Sequence, residues 1–149
     1  MDGMKQVLFL CSGNYYRSRF AEHLFNRLAA ASDLPWRAES RGLLVGKNDN
    51  VGPISRHAVE GLKLRGIPIS GPRYPLQVSL PELAGSDLVI AVKETEHRAV
   101  LAELFPLWAN LAEYWHVDDL DCAGPEQALS VLEGHVRALV ERLAADEES

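Results

Sequence analysis

One short segment constrains the fold more than any other part of the chain: residues 7–18, Val-Leu-Phe-Leu-Cys-Ser-Gly-Asn-Tyr-Tyr-Arg-Ser. Its four leading apolar residues predict a buried strand. Gly13 and Asn14 are the residue types that best tolerate a positive φ, and they predict a tight loop after that strand. Beyond Ser18 the apolar residues recur at helical spacing. The segment therefore predicts a strand, a loop and a helix N-terminus in direct succession.

The loop between the predicted strand and helix has the features of an anion-binding site. Its successive backbone N–H groups can converge into a nest. The helix adds unpaired N–H groups and the positive end of its dipole. The planar fork of Arg17 can hold two oxygens of a tetrahedral dianion. We therefore predict a phosphate-binding loop formed by Ser12, Gly13, Asn14, Tyr15, Tyr16, Arg17 and Ser18.

Cys11 stands where the predicted strand ends and the loop begins. The field of the helix N-terminus and Arg17 favours its thiolate form, and Ser18 is placed to donate a hydrogen bond to the sulfur. A thiolate beneath a phosphate-binding loop indicates phosphoryl transfer through a phosphocysteine. The alternative is a cysteine that only packs at the end of a core strand, since free cysteine behaves as a small hydrophobe.

The motif Cys-Ser-Gly-Asn-Tyr-Tyr-Arg-Ser resembles the phosphate-binding loop of the low-molecular-weight protein tyrosine phosphatases and of the related thioredoxin-coupled arsenate reductases. Supporting matches follow in family order at residues 39–42, 51–53, 86–91 and 118–119. The resemblance implies an α/β three-layer sandwich, with a four-stranded parallel sheet and helices on both faces, as in the low-molecular-weight phosphatases. The length favours one domain over residues 1–149.

Strands and helices alternate along the rest of the chain, which is typical of parallel βαβ units. The predicted strands are 5–10, 36–41, 88–92 and 111–114, and the predicted helices are 18–31, 54–65, 94–104 and 125–145. Two loops are predicted, at residues 43–53 and at 71–81, the latter largely irregular because of its three prolines. Ligands bind beyond the carboxyl ends of parallel strands, and Cys11 is predicted at such an end.

The composition of the chain limits which binding partners and which cellular compartment we expect for the protein. The net charge of −6 argues against a nucleic-acid partner, which needs a basic patch. No segment is long and apolar enough to cross a membrane, and we expect no signal peptide. The chain has two cysteines, which do not make a disulfide framework. Because a reactive thiol needs a reducing environment, we expect a cytoplasmic location.

Cleavage of a phosphate ester also needs a proton on the leaving oxygen. The resemblance implies that an aspartate before the last helix supplies it, and alignment of Val117-Asp118-Asp119 with the family pattern makes Asp119 the general acid. Leu120 and Asp121 replace the proline and the aromatic residue that usually follow. Three carboxylates within four residues resist simultaneous ionisation if they converge, which favours one that keeps its proton. Asp121 is the competing candidate, and a solvated cluster that caps the helix is the non-catalytic alternative.

Two other residues of this loop have alternative interpretations. His116 with the aspartates could hold a hard cation, but no second histidine stands at a ligand-like spacing, so we expect no metal. Cys122 is either a small loop residue, which we favour, or a resolving cysteine for Cys11.

The tyrosines of the phosphate-binding loop are the main departure from the family. Tyr15 and Tyr16 either stack against a substrate ring or pack beneath the helix, and the residues alone leave both open. Tyr16 stands where many family members carry a second cysteine, so a protective disulfide cannot form there.

Several other polar residues carry weaker expectations. By the resemblance, Asn14 holds the strained loop and Ser40 braces Asn14. Arg41 replaces the usual alanine and is expected to point to solvent. The remaining histidines are expected at the surface or partly packed: His23, His57, His97 and His135.

The favoured function is a cysteine-dependent phosphomonoester hydrolase that needs no cofactor and acts on a phosphorylated protein or a small phosphomonoester. Two rivals remain. An arsenate reductase would need two further cysteines, and the chain has only Cys122. The second rival is a non-catalytic module that binds phosphate or phosphopeptides. It is suggested by the departures from the family pattern that follow Asp119. The sequence specifies neither the substrate nor the oligomeric state.

Overall fold

The computed structural model describes residues 3–47, 49–119 and 124–148. Its centre is a four-stranded parallel sheet in the order β2-β1-β3-β4. The strands are β1 Lys5–Cys11, β2 Trp36–Gly42, β3 Leu88–Ala91 and β4 Glu113–Tyr114. The helices are α1 Arg17–Ala31, α2 Arg56–Leu64, α3 Leu80–Ala84, α4 Glu94–Leu104 and α5 Pro125–Glu147, with 3₁₀ turns at Val45–Lys47 and Pro106–Trp108.

The predicted α/β fold is confirmed, and each predicted strand and helix is present with ends within two residues of the prediction. The exception is α3, which begins inside the segment predicted to be irregular. Its sequence has a local reason to be helical, because Ser79 and Glu82 form a capping box and Pro81 lies in the first turn. A proline in the first turn favours a helix start, so counting prolines alone gave the wrong prediction there.

The inner strand β1 has an apolar core on each of its two faces. Val7, Phe9 and Cys11 pack with α1, α2 and α5 on one side, whereas Leu8 and Leu10 pack with α3 and α4 on the other. This alternation follows from the two-residue period of a strand. The predicted helices on both faces are therefore confirmed, and they bury the sheet as parallel sheets require.

The carboxyl ends of the four parallel strands lie at one edge of the sheet. Cys11 is the last residue of β1 and pairs with Gly42 at the end of β2. A Cβ at Gly42 would lie 2.8 Å from the carbonyl oxygen of Ser12, so the loop after β1 can approach this strand only because residue 42 is glycine. Beyond β4, the backbone N–H groups of Trp115 and Val117 donate to Ala91 and Val92. These bonds bring residues 115–119 beside the loop that follows β1.

Within the ranges that the structure describes, no helix combines the length and the apolarity needed to cross a membrane.

Candidate active site

Asn14 holds the loop between β1 and α1 in its unusual conformation. Its φ is 51°, a left-handed value that asparagine tolerates better than most residues. Its buried amide nitrogen donates to Ser18 Oγ at 2.9 Å and to Ser40 Oγ at 3.0 Å. Its amide oxygen accepts from Arg73 Nη1 at 2.9 Å and from the backbone N–H of Leu76 at 3.0 Å. The expected contact between Ser40 and Asn14 is thus present, and one side chain ties the loop to β2 and to the segment before α3.

Cys11 lies at the base of this loop, with only 2% of its surface exposed. The backbone N–H of Asn14 donates to its Sγ over 3.2 Å, and Ser18 Oγ lies 3.0 Å from the same sulfur. Because Ser18 Oγ already accepts from the Asn14 amide, its own proton is available for the sulfur. Two donors of the loop and of α1 therefore lie within hydrogen-bond distance of the sulfur.

Arg17 begins α1 and is buried beside the cysteine, with 2% of its surface exposed. Its Nη1 and Nη2 donate to the two carboxylate oxygens of Glu96 at 3.1 and 2.8 Å. Nη1 also donates to the backbone oxygen of Val117 at 3.0 Å, and Nη2 lies 3.4 Å from Asp119 Oδ2. Burial acts to lower the pKa of Arg17, but the hydrogen bonds to Glu96 and the charges around it raise that pKa on balance. Arg17 is therefore a permanent cation next to Cys11.

Asp118 and Asp119 have different partners. Asp118 Oδ1 lies 2.7 Å from Lys93 Nζ, and this hydrogen bond lowers the pKa of the carboxyl. Asp119 instead contacts Arg17, and 44% of its side chain is exposed. Asp119 is thus the one of this pair that contacts the predicted phosphate-binding arginine. Asp121 and Cys122 lie outside the described residues, so their proposed roles stay predictions.

The two tyrosines of the loop differ in their surroundings. Tyr16 is 5% exposed and packs in the core on the α1 side, where its hydroxyl donates to the backbone oxygen of Pro125 at 3.2 Å. Burial, with the nearby charge of Asp119, raises the pKa of Tyr16 to about 12. Of the two alternatives, Tyr16 therefore packs beneath the helix. Tyr15 is half-buried, and its hydroxyl donates to the backbone oxygen of Val51 at 2.5 Å.

Sequence reasoning missed Glu96 and gave the wrong surroundings for His97. His97 is fully buried, whereas the other histidines of helical segments are partly buried as expected. Its Nε2 lies 3.0 Å from Glu96 Oε2 and 3.2 Å from Ser12 Oγ. An acidic residue in the first turn of a helix is common, so nothing in the sequence of α4 distinguished Glu96 as a partner of the loop.

Two arginines also have roles that the sequence did not predict. Arg41 was expected to point to solvent, but its Nε donates to Glu82 Oε2 at 2.6 Å and its Nη1 to Glu39 at 3.3 Å. It therefore joins β2 to α3.

Arg73 was not singled out from the sequence, because it lies in a proline-rich segment without a motif. The structure shows that it binds Asn14 and the backbone oxygen of Ser40.

A small cavity of about 250 Å³ opens beside the loop. Its lining residues are Gly13, Val45, Asn50, Gly52, Tyr74 and Pro75. Tyr74 is 65% exposed and is the aromatic member of this set. In the part of the chain that the structure describes, no three His, Cys, Asp or Glu side chains converge in a way that could hold a metal ion.

The comparisons with known proteins agree with this geometry. A family model described as low molecular weight phosphotyrosine protein phosphatase matches residues 6–149. The protein-arginine-phosphatase of Bacillus subtilis (strain 168) is 32% identical over 152 residues, covering 94% of this chain and 97% of the relative. The crystal structure of a low molecular weight protein tyrosine phosphatase from T. tengcongensis matches with 30% identity and a TM-score of 0.76, covering 95% of this chain and 99% of that one. YfkJ from Bacillus subtilis matches in fold, with a TM-score of 0.82 at 24% identity over 96% of both chains.

Proposed function

This chain belongs to the low-molecular-weight phosphotyrosine protein phosphatase family and is a cysteine-dependent phosphatase, and we propose that Cys11, Arg17 and Asp119 carry out its chemistry. The observation that carries this assignment is the position of Cys11 Sγ. It lies 3.2 Å from the N–H of Asn14 and 3.0 Å from the hydroxyl of Ser18, beside the buried cation of Arg17. A sulfur held by donors at the foot of an anion-binding loop is suited to attack phosphorus.

In the first step, the Cys11 thiolate attacks phosphorus and the bond to the leaving atom breaks. Arg17 and the backbone N–H groups of residues 12–18 stabilise the charge on the three equatorial oxygens. Asp119, as the carboxylic acid, donates its proton to the leaving atom. General acid help of this kind is worth about 10²–10⁴-fold in rate.

In the second step, water hydrolyses the phosphocysteine. Asp119, now a carboxylate, accepts a proton from the water, and orthophosphate forms as the sulfur–phosphorus bond breaks. Ser18 stabilises the departing thiolate because its hydroxyl lies 3.0 Å from the sulfur. The two steps as written require no group other than the protein, the substrate and water.

For the substrate, we propose a protein phosphorylated on arginine. The 32% identity with a protein-arginine-phosphatase along nearly the whole of both chains supports this class. The carboxylates near Arg17 support it on physical grounds. The leaving guanidine becomes a cation once it is protonated, and Asp119, with 44% of its side chain exposed, can stabilise it at the mouth of the site. Phosphate must be attracted locally by the loop, because the chain as a whole carries a charge of −6.

A protein phosphorylated on tyrosine is the second candidate, and one feature favours it. The cavity beside Gly13 is lined by the exposed ring of Tyr74, against which a phenyl ring could stack. The 30% identity with the T. tengcongensis tyrosine phosphatase supports the same class.

Parallel kinetics on one carrier protein, phosphorylated either on arginine or on tyrosine, test both candidates. We expect release of phosphate from both forms and a higher kcat/KM for phosphoarginine. A higher kcat/KM for phosphotyrosine would reverse our choice of substrate while leaving the mechanism intact. Binding of orthophosphate without turnover of either substrate would instead support a binding module. Cys11→Ser is the control for contaminating phosphatases.

A further inference from the structure

The carboxylate of Glu96 accepts hydrogen bonds from several donors beside the phosphate-binding loop. Its Oε2 accepts from Ser12 Oγ at 2.6 Å and from Arg17 Nη2 at 2.8 Å, and His97 Nε2 lies 3.0 Å from the same oxygen. Its Oε1 accepts from Arg17 Nη1 at 3.1 Å. One carboxylate in the first turn of α4 therefore joins Ser12, which follows the cysteine, to Arg17, at the opposite end of the loop.

These contacts fix the plane and the direction of the guanidinium. Arginine has five N–H donors in a rigid fork. Two of them bind the carboxylate of Glu96, and a third binds the backbone oxygen of Val117. The two other N–H groups, on Nε and Nη2, lie on one edge of the plane. Such an edge is the arrangement with which arginine binds two oxygens of a phosphate.

His97 holds the carboxylate from the far side. Its Nδ1 accepts the backbone N–H of Lys93 at 3.2 Å. In the neutral ring this assigns the proton to Nε2, which then donates to Glu96 or to Ser12. Because His97 is fully buried, the carboxylate has a fixed support that does not depend on solvent.

We propose that Glu96 is a positioning residue for catalysis, which orients Arg17 toward the phosphate and ties it to Ser12. The inference rests on the proposed role of Arg17 as the phosphate-binding cation. It adds a residue that no pattern in the loop predicts, supplied by a helix on the opposite face of the sheet from α1.

The charge of Glu96 persists over the pH range in which such an enzyme works. Burial opposes ionisation of this carboxyl, but hydrogen bonds from His97, Arg17 and Ser12 outweigh it and hold the pKa well below its usual range. Arg17 therefore keeps an ionised partner whether or not Asp119 is protonated.

The test uses Glu96→Gln, which keeps the size of the side chain but replaces one oxygen with an NH₂ group. In either orientation that group would face an N–H of Arg17 with a donor where an acceptor is needed, and in one orientation it would also face Ser12 and His97. We expect affinity for orthovanadate to fall by about 10- to 100-fold, the range for hydrogen bonds to charged groups, with a comparable fall in kcat. The matched control is Glu94→Gln in the same helical turn, since Glu94 is half exposed and pairs only weakly with Arg98 at 3.5 Å. This control should bind vanadate like the wild type.

A double-mutant cycle separates positioning from a general loss of structure. If Glu96 acts through Arg17, then adding Glu96→Gln to Arg17→Lys should cost little further affinity, whereas independent effects would multiply. Should Glu96→Gln fail to fold, Ser12→Ala removes the hydrogen bond between Glu96 and the start of the loop, together with the contact of Ser12 with His97, and leaves the carboxylate in place. It is expected to weaken vanadate binding several-fold, and again with little further loss in the Arg17→Lys background.

Multiplying effects in the double-mutant cycle would overturn the inference, and so would each of three further outcomes. If Glu96→Gln, or Ser12→Ala in its place, binds vanadate like the wild type while Arg17→Lys is impaired, the proposed function stands and the positioning role fails. If Glu96→Gln tightens vanadate binding, the carboxylate competes with phosphate for Arg17 and is not its support. If Arg17→Lys itself behaves like the wild type, the proposed role of Arg17 fails and the inference fails with it.

Discussion

Lys93 Nζ lies 2.7 Å from Asp118 Oδ1, and this ion pair gives Asp118 a different partner from the neighbouring Asp119. Lys93 holds Asp118 at the start of α4, whereas Asp119 reaches Arg17. The hydrogen bond from Lys93 also lowers the pKa of Asp118, so a smaller fraction of that carboxyl carries a proton near neutral pH. The contact with Arg17 therefore favours Asp119 as the general acid, and the lowered pKa of Asp118 argues against that residue.

The first prediction follows from this difference. Asp119→Asn should slow hydrolysis of phenyl phosphate far more than that of p-nitrophenyl phosphate, because only the poorer leaving group depends on the proton. The difference should fall within the range of about 10²–10⁴-fold that general acids contribute. The measurement is kcat for the two esters with the wild type and the variant.

Two further variants serve as controls for this assignment. Asp118→Asn should keep the leaving-group dependence of the wild type. If Asp121→Asn alone shows the steep dependence, the alignment of this loop is displaced by two residues. If none of the three variants shows it, the chain has no dedicated acid.

The second prediction concerns the nucleophile. Cys11→Ser should reduce turnover to the uncatalysed background, because the described contacts of this position, Ser18 and the backbone N–H of Asn14, include no base that could ionise an alcohol. The fold should persist, which circular dichroism and the midpoint of thermal unfolding can check. Substantial phosphatase activity in pure Cys11→Ser would contradict the mechanism.

Chemical labelling gives an independent measurement on the same residue. In a Cys122→Ser background, Cys11 is the one thiol left for iodoacetate, and peptide mass spectrometry distinguishes its labelling from that of other residues. Orthophosphate or vanadate should slow this labelling, because the anion covers the sulfur. Labelling that is indifferent to both anions would place the anion site elsewhere.

The phosphate-binding loop could be predicted because the residues that determine its structure are close together in the sequence. Cys11, Asn14 and Ser18 lie within eight residues, and their mutual contacts follow from one strand end and one helix start. The positive φ of Asn14 is a local property as well. A single sequence therefore contains enough information for this part of the site.

The residues from other elements that contact the phosphate-binding loop could not be predicted in the same way. Glu96 lies 79 positions from Arg17 and 84 from Ser12, and only the pairing of β1 with β3 brings α4 beside the loop. Burial of His97 has the same origin, since it depends on which face of α4 the sheet covers. Arg73 reaches Asn14 from a proline-rich segment whose course has no periodic pattern.

The third prediction concerns the geometry of Arg17. Arg17→Lys should lower kcat by about 10²- to 10³-fold, as loss of an oxyanion donor does. The positive charge remains, but an ammonium cannot hold Glu96 and two phosphate oxygens in one plane. Kinetics with p-nitrophenyl phosphate measure this effect, and near-normal rates would show that charge alone suffices.

The fourth prediction concerns the ion pair that joins β2 to α3. Glu82 accepts from Arg41 Nε at 2.6 Å and from the backbone N–H of Ser79 at 2.9 Å. Burial acts to raise the pKa of Glu82, but these hydrogen bonds lower it on balance from its usual value of 4.5. A carboxyl whose pKa is lower in the folded state stabilises the protein above the unfolded pKa, and this contribution is lost as pH falls through the folded pKa.

Glu82→Gln should therefore be less stable than the wild type at pH 7, and the difference should shrink as the pH falls below about 4.5. Urea unfolding at a series of pH values measures it. Arg41→Ala should also destabilise the protein at pH 7 and should flatten the pH dependence assigned to Glu82, because it removes the partner that lowers the pKa. Glu94→Gln is the matched control, since its carboxylate is half exposed and lies 3.5 Å from Arg98 Nε. A difference between Glu82→Gln and the wild type that stays constant from pH 7 to pH 3 would contradict the linkage and leave only packing as its cause.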